Sequence, residues 1–281
     1  MKLLRLGNHQ KEKPATIDQD GNYRDLSSVI DDLNPVTLNF NTIEKISNMD
    51  ILSLPKLDSN LRIGPCVSSP SKFIGIGLNF KDHAEEQNLP IPKEPIIFSK
   101  FTSCITGPND PIIVLKGSNH TDWEVELGFV IGKKAINVSR EQALDHVLGF
   151  FLVNDVSERN FQKNKGLTWD KGKGFDTFGP IGPYIVTKDE LPDFQKLNMS
   201  LDVDGKRMQT GNTEQMIFNI ETLVSYMSSC MSLHPGDICC TGTPPGVGEN
   251  MSPPKYLRGG EEVVLSIDKL GTQKHKVHPY K

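Results

Sequence analysis

The chain has 281 residues, with 31 Lys and Arg against 35 Asp and Glu, so its formal charge at pH 7 is −4. Basic residues are interspersed with acids, which excludes the basic patch that nucleic-acid binding requires. No apolar run approaches the ~20 residues that span a bilayer, and the charged first residues are not typical of a secretory signal. Five cysteines without a Cys-x-x-Cys pair favour a reducing compartment, so we expect a cytoplasmic protein.

Residues 1–65 form a weakly patterned first segment, which we predict to be a small accessory domain before a larger domain at 66–281. Apolar residues at 3–6, 15–17 and 23–26 predict three strands, and the second turn has hairpin chemistry. A short helix is expected to begin near Thr42. The segment shows no catalytic constellation.

A buried strand at 72–77 is predicted to lead into a helix at 80–87, with Asn79 as its N-cap. The pair Gly75 and Gly77 is not a dinucleotide fingerprint, because Phe80 stands where the third glycine is required. We expect these glycines to allow close backbone approach or a tight turn.

The predicted helix carries His83 and Glu86, which face the same side at a spacing of three residues. The carboxylate can orient the imidazole as a general base. A surface ion pair is the alternative. Prolines at 90 and 92 and Gly77 flank the helix, which makes it a candidate lid.

An acidic segment leads a strongly apolar strand at 121–132. Glu124 and Glu126 project side by side because residues two apart in a strand share a face. Asp155 follows another apolar run, 148–153. Three carboxylates at neighbouring strand ends suit a hard cation such as Mg²⁺ or Mn²⁺. The alternatives are a solvated strand end and an Asp155 that only caps a turn.

The remaining pattern from residue 95 onward consists of short strands broken by Gly and Pro, which favours a mixed or antiparallel sheet over repeated βαβ units. We expect a loop at the mouth of a site around 160–174. Helices are expected near 140–147 and 220–229. Further strands are expected at 96–98, 112–115, 125–131, 149–153, 181–186, 197–203 and 263–267.

Two glycine-rich segments are candidates for ligand contact. Lys173 lies between Gly172 and Gly174, where it could neutralise an anionic substrate, although a flexible charged loop is an equal alternative. Residues 241–248 (TGTPPGVG) follow a strand and could bind a carboxylate or serve only as a structural turn.

Together these segments resemble the fumarylacetoacetate hydrolase family. The motifs that carry the resemblance appear in the family's order at 77–86 (GLNFKDHAEE), 122–127 (DWEVEL), 154–159 (NDVSER), 172–177 (GKGFDT) and 241–248 (TGTPPGVG).

The resemblance implies an α+β, mainly β fold, a mixed β-sandwich roll with a small N-terminal α/β domain, usually as a homodimer. It implies Mg²⁺ (or Mn²⁺ or Ca²⁺) on Glu124, Glu126 and Asp155. His83 and Glu86 are then the dyad that activates water, and Lys173 stabilises a developing enolate. Positions matching substrate contacts are Arg159, Gln162 and Thr243.

The reaction expected from the resemblance is metal-dependent hydrolysis of a C–C bond in a 2,4-dioxo acid, with release of pyruvate. Residues 168–174 look closest to members that act on 2,4-dioxo-3-deoxy sugar acids and to members labelled ureidoglycolate lyase. Residues 88–100 are similar to members expected to tautomerise or decarboxylate oxaloacetate. These alternatives stay open.

Overall fold

The computed structural model describes residues 1–166 and 168–281. The described residues form two large sheets, two short strand pairs and six helices. The helices are α1 (Phe40–Ser47), α2 (Lys81–Glu86), α3 (Arg140–Ala143), α4 (Arg159–Asn164), α5 (Asp170–Lys173) and α6 (Ile220–Cys230).

The first nine strands are β1 (Lys2–Leu6), β2 (Lys13–Ile17), β3 (Tyr23–Asp25), β4 (Phe73–Gly77), β5 (Ile96–Lys100), β6 (Ile105–Thr106), β7 (Ile112–Ile113), β8 (Thr121–Asp122) and β9 (Val125–Ile131). The others are β10 (Val147–Asn154), β11 (Ser157–Glu158), β12 (Gly179–Pro180), β13 (Ile185–Thr187), β14 (Asn198–Val203), β15 (Lys206–Asn212), β16 (Ile238–Cys240), β17 (Glu262–Ile267) and β18 (Gly271–His278).

The larger sheet has nine strands in the order β3-β2-β1-β13-β10-β9-β16-β4-β5. Its centre, β9 and β10, is buried along its whole length and packs against strands of a second sheet, ordered β15-β14-β17-β18-β7. Most pairs are antiparallel, and β16 with β4 is parallel. The prediction of an α+β, mainly β fold is confirmed.

The N-terminal segment extends the larger sheet. The strand β1 pairs with β13 in antiparallel register, so β1–β3 continue the sheet that carries β9 and β10. The division into domains at 1–65 and 66–281 stays a prediction. Within the described residues, no helix is long and apolar enough to cross a membrane.

Two local predictions were wrong. Asn79 does not cap α2, whose N-cap is Phe80. The buried Asn79 amide instead donates to the carbonyls of Phe218 and Thr241 and accepts from the Phe218 N–H, so distant backbone groups take the oxygen that a cap would use. The segment 160–174 was predicted to be a loop, yet it contains most of α4 and all of α5. These short helices bury polar side chains, so the apolar pattern does not reveal them.

Candidate active site

A cavity of about 250 Å³ lies where α2, the end of β4, the start of β9 and the loop after β16 meet. Every residue that the sequence predicted for the site lines this cavity, with the exception of Glu86 and Asp155. Those two side chains reach it through His83 and Lys173, respectively. The predicted residues on the cavity wall are His83, Glu124, Glu126, Arg159, Gln162, Lys173 and Thr243.

Two of the three predicted metal ligands, Glu126 and Asp155, come together at the ends of two paired strands. The third, Glu124, is linked to Asp155 through Lys173, whose ammonium contacts both carboxylates. Glu126 lies on β9 and pairs with Val153 of β10. Asp155 follows β10 directly, and its N–H donates to the Glu124 carbonyl at 2.9 Å. The strand pairing therefore brings carboxylates from the two separate segments to one buried point.

The charges around these carboxylates are unequal. The Glu124 carboxylate contacts Lys173 Nζ and Arg159 Nη1, each at 2.7 Å. Burial alone would raise the pKa of Glu124, but Lys173 and Arg159 outweigh it and hold that pKa below its usual range. Burial raises the pKa of Glu126, and the negative charges of Asp155 and Glu124 raise it further.

This donor set fits a divalent cation. Carboxylate oxygens of Glu126 and Asp155 and the thiol sulfur of Cys240 lie within 4.8 Å of one another, all buried. Two neighbouring buried carboxylates are unfavourable unless a cation or proton joins them, and the raised pKa of Glu126 expresses that cost. Burial and the neighbouring carboxylates raise the pKa of the Cys240 thiol, which keeps it protonated and a poor ligand. The remaining donors are carboxylate oxygens, which suit hard ions such as Mg²⁺ or Mn²⁺.

Two buried lysines bracket Asp155. Lys173, at the end of α5, places Nζ 2.8 Å from Asp155 Oδ2 while it also contacts Glu124. Lys100, at the end of β5, places Nζ 2.6 Å from Asp155 Oδ1. It also donates to the carbonyl oxygens of Lys173 and Phe178, so it ties α5 to the acidic cluster.

Arg159 enters the site from the start of α4. Its Nε donates to Asp122 Oδ2 at 2.9 Å, and its Nη1 donates to Gln162 Oε1 at 3.1 Å. Among the described residues nothing accepts from Nη2, although this atom is buried. A buried guanidinium donor without a partner on a cavity wall is suited to a carboxylate ligand.

The predicted dyad is present on α2. His83 is buried, and its Nδ1 lies 2.9 Å from Glu86 Oε2. Partial burial would raise the pKa of Glu86, but hydrogen bonds from His83 and Asn250 outweigh it and lower that pKa. Because the carboxylate can only accept, Nδ1 carries the proton and Nε2 presents its lone pair. The amide nitrogen of Gln87 lies 2.8 Å from Nε2.

The Thr243 hydroxyl is already engaged within the protein. It donates to the Val125 carbonyl at 2.9 Å and accepts from Gln209 at 2.8 Å. Thr243 and the neighbouring Gly242 line the cavity. The Gly242 N–H donates to the Glu126 carboxylate at 2.8 Å. Substrate contact by Thr243 stays a prediction.

Sequence reasoning missed Gln87 and Lys100. Lys100 is the last residue of β5, and a charged residue at the end of a mostly apolar strand is the signal that could have identified it. Asp122, which opens the acidic segment, is buried and accepts hydrogen bonds from Arg159 and from the N–H groups of Gly248 and Glu249.

Comparison with known proteins gives a consistent result. Residues 72–278 match the family model described as the fumarylacetoacetate (FAA) hydrolase C-terminal domain. A Burkholderia ambifaria protein named "Putative hydrolase" is 53% identical over 274 residues, which is 97% of each chain.

Two solved structures are similar over 100% of both chains. A fumarylacetoacetate hydrolase from Exiguobacterium antarcticum has 31% identity and a TM-score of 0.89. A maleylpyruvate hydrolase from Sphingobium sp. SYK-6, solved with manganese(II) and pyruvate, has 25% identity and a TM-score of 0.83.

Proposed function

Because this chain belongs to the fumarylacetoacetate hydrolase family, we propose that it hydrolyses the C3–C4 bond of a 2,4-dioxo acid and releases pyruvate. The observation that carries the proposal is a single cavity that holds both a base and a cation. His83, oriented by Glu86, and the buried ammonium of Lys173 line the same cavity of about 250 Å³.

The metal that the family implies would be held by Glu124, Glu126 and Asp155. When bound there, Mg²⁺ or Mn²⁺ would supply Lewis-acid stabilisation of the negative charge that develops on the substrate oxygens. The maleylpyruvate hydrolase with manganese(II) and pyruvate supports this choice of ion and product.

His83 acts as the general base in this proposal. Its Nε2 lone pair accepts a proton from water, which replaces the amide of Gln87, and the water oxygen bonds to C4. Glu86 keeps Nδ1 protonated and stabilises the imidazolium that forms. As the water oxygen bonds to C4, the C4 carbonyl becomes an alkoxide. When this alkoxide re-forms a C=O bond, the C3–C4 bond breaks and the acyl group leaves as a carboxylic acid. The electron pair of the broken bond forms the enolate of pyruvate, and the imidazolium returns the proton to C3.

Lys173 stabilises the negative charge of the enolate, and Arg159 binds the C1 carboxylate of the substrate. The Lys173 ammonium is buried beside Glu124 and Asp155, where its electrostatic effect on an enolate oxygen is stronger than in water. The buried Nη2 of Arg159 is suited to the C1 carboxylate, with Gln162 bound to the same guanidinium.

The test measures pyruvate release from acetylpyruvate (2,4-dioxopentanoate) before and after treatment with a chelator. We expect turnover to disappear on metal removal and to return with Mg²⁺ or Mn²⁺, and we expect a His83→Asn variant to lose activity by about 10²–10⁴-fold. Unchanged pyruvate release in the metal-free enzyme, or in that variant, would contradict the proposal.

One observation favours a second candidate, keto–enol tautomerisation of oxaloacetate. The amide nitrogen of Gln87 lies 2.8 Å from His83 Nε2. It therefore occupies the position beside Nε2 that an attacking water would need. Tautomerisation moves a proton between C3 and the C2 oxygen and needs no such water. The assay follows the absorbance of enol oxaloacetate with and without the enzyme. A faster decay with the enzyme, together with no pyruvate release from any acylpyruvate, would favour this candidate.

Homodimer formation remains a proposal that follows from the family alone. Light scattering coupled to size-exclusion chromatography would test it.

A further inference from the structure

Two glycines of β4 each lie beneath an aromatic ring. A Cβ atom added to Gly75 would lie 2.1 Å from the ring of Phe98, and one added to Gly77 would lie 2.1 Å from the indole of Trp169. Any side chain at either position would therefore displace a ring. The two rings also contact each other, with centroids 5.7 Å apart. This pair of glycines thus serves to seat Phe98 and Trp169 on the strand.

These rings separate two cavities. Ile96, Phe98 and Trp169 line the catalytic cavity of about 250 Å³, and they also line an open groove of about 750 Å³ along β5, the edge strand of the larger sheet. We call these three side chains the partition. Because they are shared by both cavities, their size sets how far the catalytic cavity extends.

The lining of the catalytic cavity combines charged and apolar side chains. Glu124, Arg159 and Lys173 supply the charges, and the partition and Leu89 supply apolar surface. The Lys173 ammonium lies 5.3 Å from the centre of the Phe98 ring, so the partition begins directly beside the charged residues. A volume of about 250 Å³ is below the ~300–1,000 Å³ of pockets for drug-sized ligands, so it suits a small substrate.

Three polar side chains of the cavity lining are already engaged within the protein. Among the described residues, Gln87 contacts His83 and Asn250 contacts Glu86. Lys163 pairs with Glu249. A hydroxylated substrate chain would have to compete with these contacts or leave its hydroxyl groups without partners against the partition, which is unfavourable.

We propose that Trp169 is a specificity-determining residue that closes the acyl end of the catalytic cavity. The preferred substrate is then a 2,4-dioxo acid whose acyl group beyond C4 is short and apolar, and a polyhydroxylated sugar chain is a poor substrate. This inference rests on the proposed function for the identity of the reaction. The position and size of the partition do not depend on it.

The test compares kcat/KM for acetylpyruvate, hexanoylpyruvate and a 2,4-dioxo-3-deoxy sugar acid. In the wild-type enzyme we expect at least a roughly tenfold loss from acetylpyruvate to hexanoylpyruvate and a roughly 100-fold loss for the sugar acid. Trp169→Ala opens the cavity toward the groove, so hexanoylpyruvate should improve by at least about tenfold.

Met231→Ala is the matched control, because Met231 lines the groove but not the catalytic cavity. We expect it to keep the wild-type order of substrates. If Trp169→Ala does not fold, as thermal unfolding would show, Ile96→Ala opens the same partition and is measured in its place. An unchanged ratio of kcat/KM for hexanoylpyruvate to that for acetylpyruvate in the opened variant would overturn the inference, as would a wild-type preference for the sugar acid.

A binding series separates this inference from the proposed reaction. Oxamate and N-hexyl oxamate resemble 2-oxo acids but are not cleaved, so their Kd values report cavity length without turnover. We expect N-hexyl oxamate to gain affinity by at least about tenfold over oxamate only in the opened variant. If no dioxo acid is cleaved by any variant, the proposed function fails while this series still decides the role of Trp169.

Discussion

Replacing Lys100 by Met tests the charge network beneath the cavity. Lys100 is 1% exposed, and its ammonium donates to Asp155 Oδ1 at 2.6 Å and to the Phe178 carbonyl at 3.0 Å. It also donates to the carbonyl of Lys173. Methionine preserves an unbranched side chain of similar length but removes every one of these donors. The substitution therefore leaves a buried carboxylate oxygen and two carbonyl oxygens without this partner.

The expected loss of unfolding free energy in Lys100→Met follows from the burial of the Lys100–Asp155 ion pair. Removing one member of a buried ion pair costs about 3–5 kcal/mol. Asp155 keeps Lys173 as its second cationic partner, but the substitution also removes the donor to two buried carbonyl oxygens, so we expect a cost in this range. For a chain of this size each kcal/mol lowers the midpoint of thermal unfolding by roughly 2–4 °C, so Lys100→Met should lower it by roughly 6–20 °C.

The matched control is Lys13→Met. Lys13 pairs with Asp25 at 3.0 Å, but its side chain is 56% exposed, so the same substitution should cost at most about 1 kcal/mol. Urea unfolding followed by circular dichroism gives both free energies. If Lys100→Met destabilises the protein no more than Lys13→Met does, the assignment of Lys100 as the buried counter-ion of Asp155 is refuted.

Two further predictions address the dyad and the acid sensitivity of the N-terminal segment. Glu86→Gln removes the charge that stabilises the His83 cation, so kcat for acetylpyruvate should fall by about 10²-fold or more with little change in KM. Glu85→Gln lies on the same helix, but it is Glu86 that contacts the His83 ring, so Glu85→Gln should be neutral, and equal effects of the two substitutions would contradict the dyad. Burial opposes ionisation of Asp18, but hydrogen bonds including one from Arg24 lower its pKa to about 2. Because the folded-state pKa is depressed, this contribution to stability is present above pH ~4 and is lost as the pH falls toward 2. The unfolding free energy of Asp18→Asn should therefore vary less with pH in that window, and a curve parallel to the wild type would contradict the assignment.

Strands with a continuous apolar pattern were predictable from the sequence, and polar ones were not. The strands β9 and β10 are buried throughout and were predicted within two residues of their bounds. The strands β15 and β18 were missed because each has a single apolar side chain, Met208 and Val277, respectively, among polar residues and glycine. Their pairing comes from neighbours in the second sheet, which single-sequence patterns do not contain.

The same distinction applies to the site. The spacing of Glu124 and Glu126 in a strand predicts adjacent carboxylates, because strand geometry alone fixes it. The contacts of Lys100 with Asp155 and of Trp169 with Gly77 join segments that are 55 and 92 residues apart, and they depend on how β4, β5 and α5 meet. Local spacing carries no information about such pairs.

The three carboxylates Glu124, Glu126 and Asp155 differ in the number of cationic side chains that contact them. Glu124 has Lys173 and Arg159 as cationic partners, and Asp155 has Lys173 and Lys100. Among the described residues, the hydrogen bond that Glu126 accepts comes from the neutral amide of Gly242. Glu126 is also the carboxyl whose pKa burial and the neighbouring negative charges raise. We therefore expect that a divalent cation bound here would stabilise the cluster chiefly through Glu126. Glu126→Gln should then weaken Mn²⁺ binding, measured by calorimetry, while it leaves the free energy of unfolding of the metal-free protein little changed.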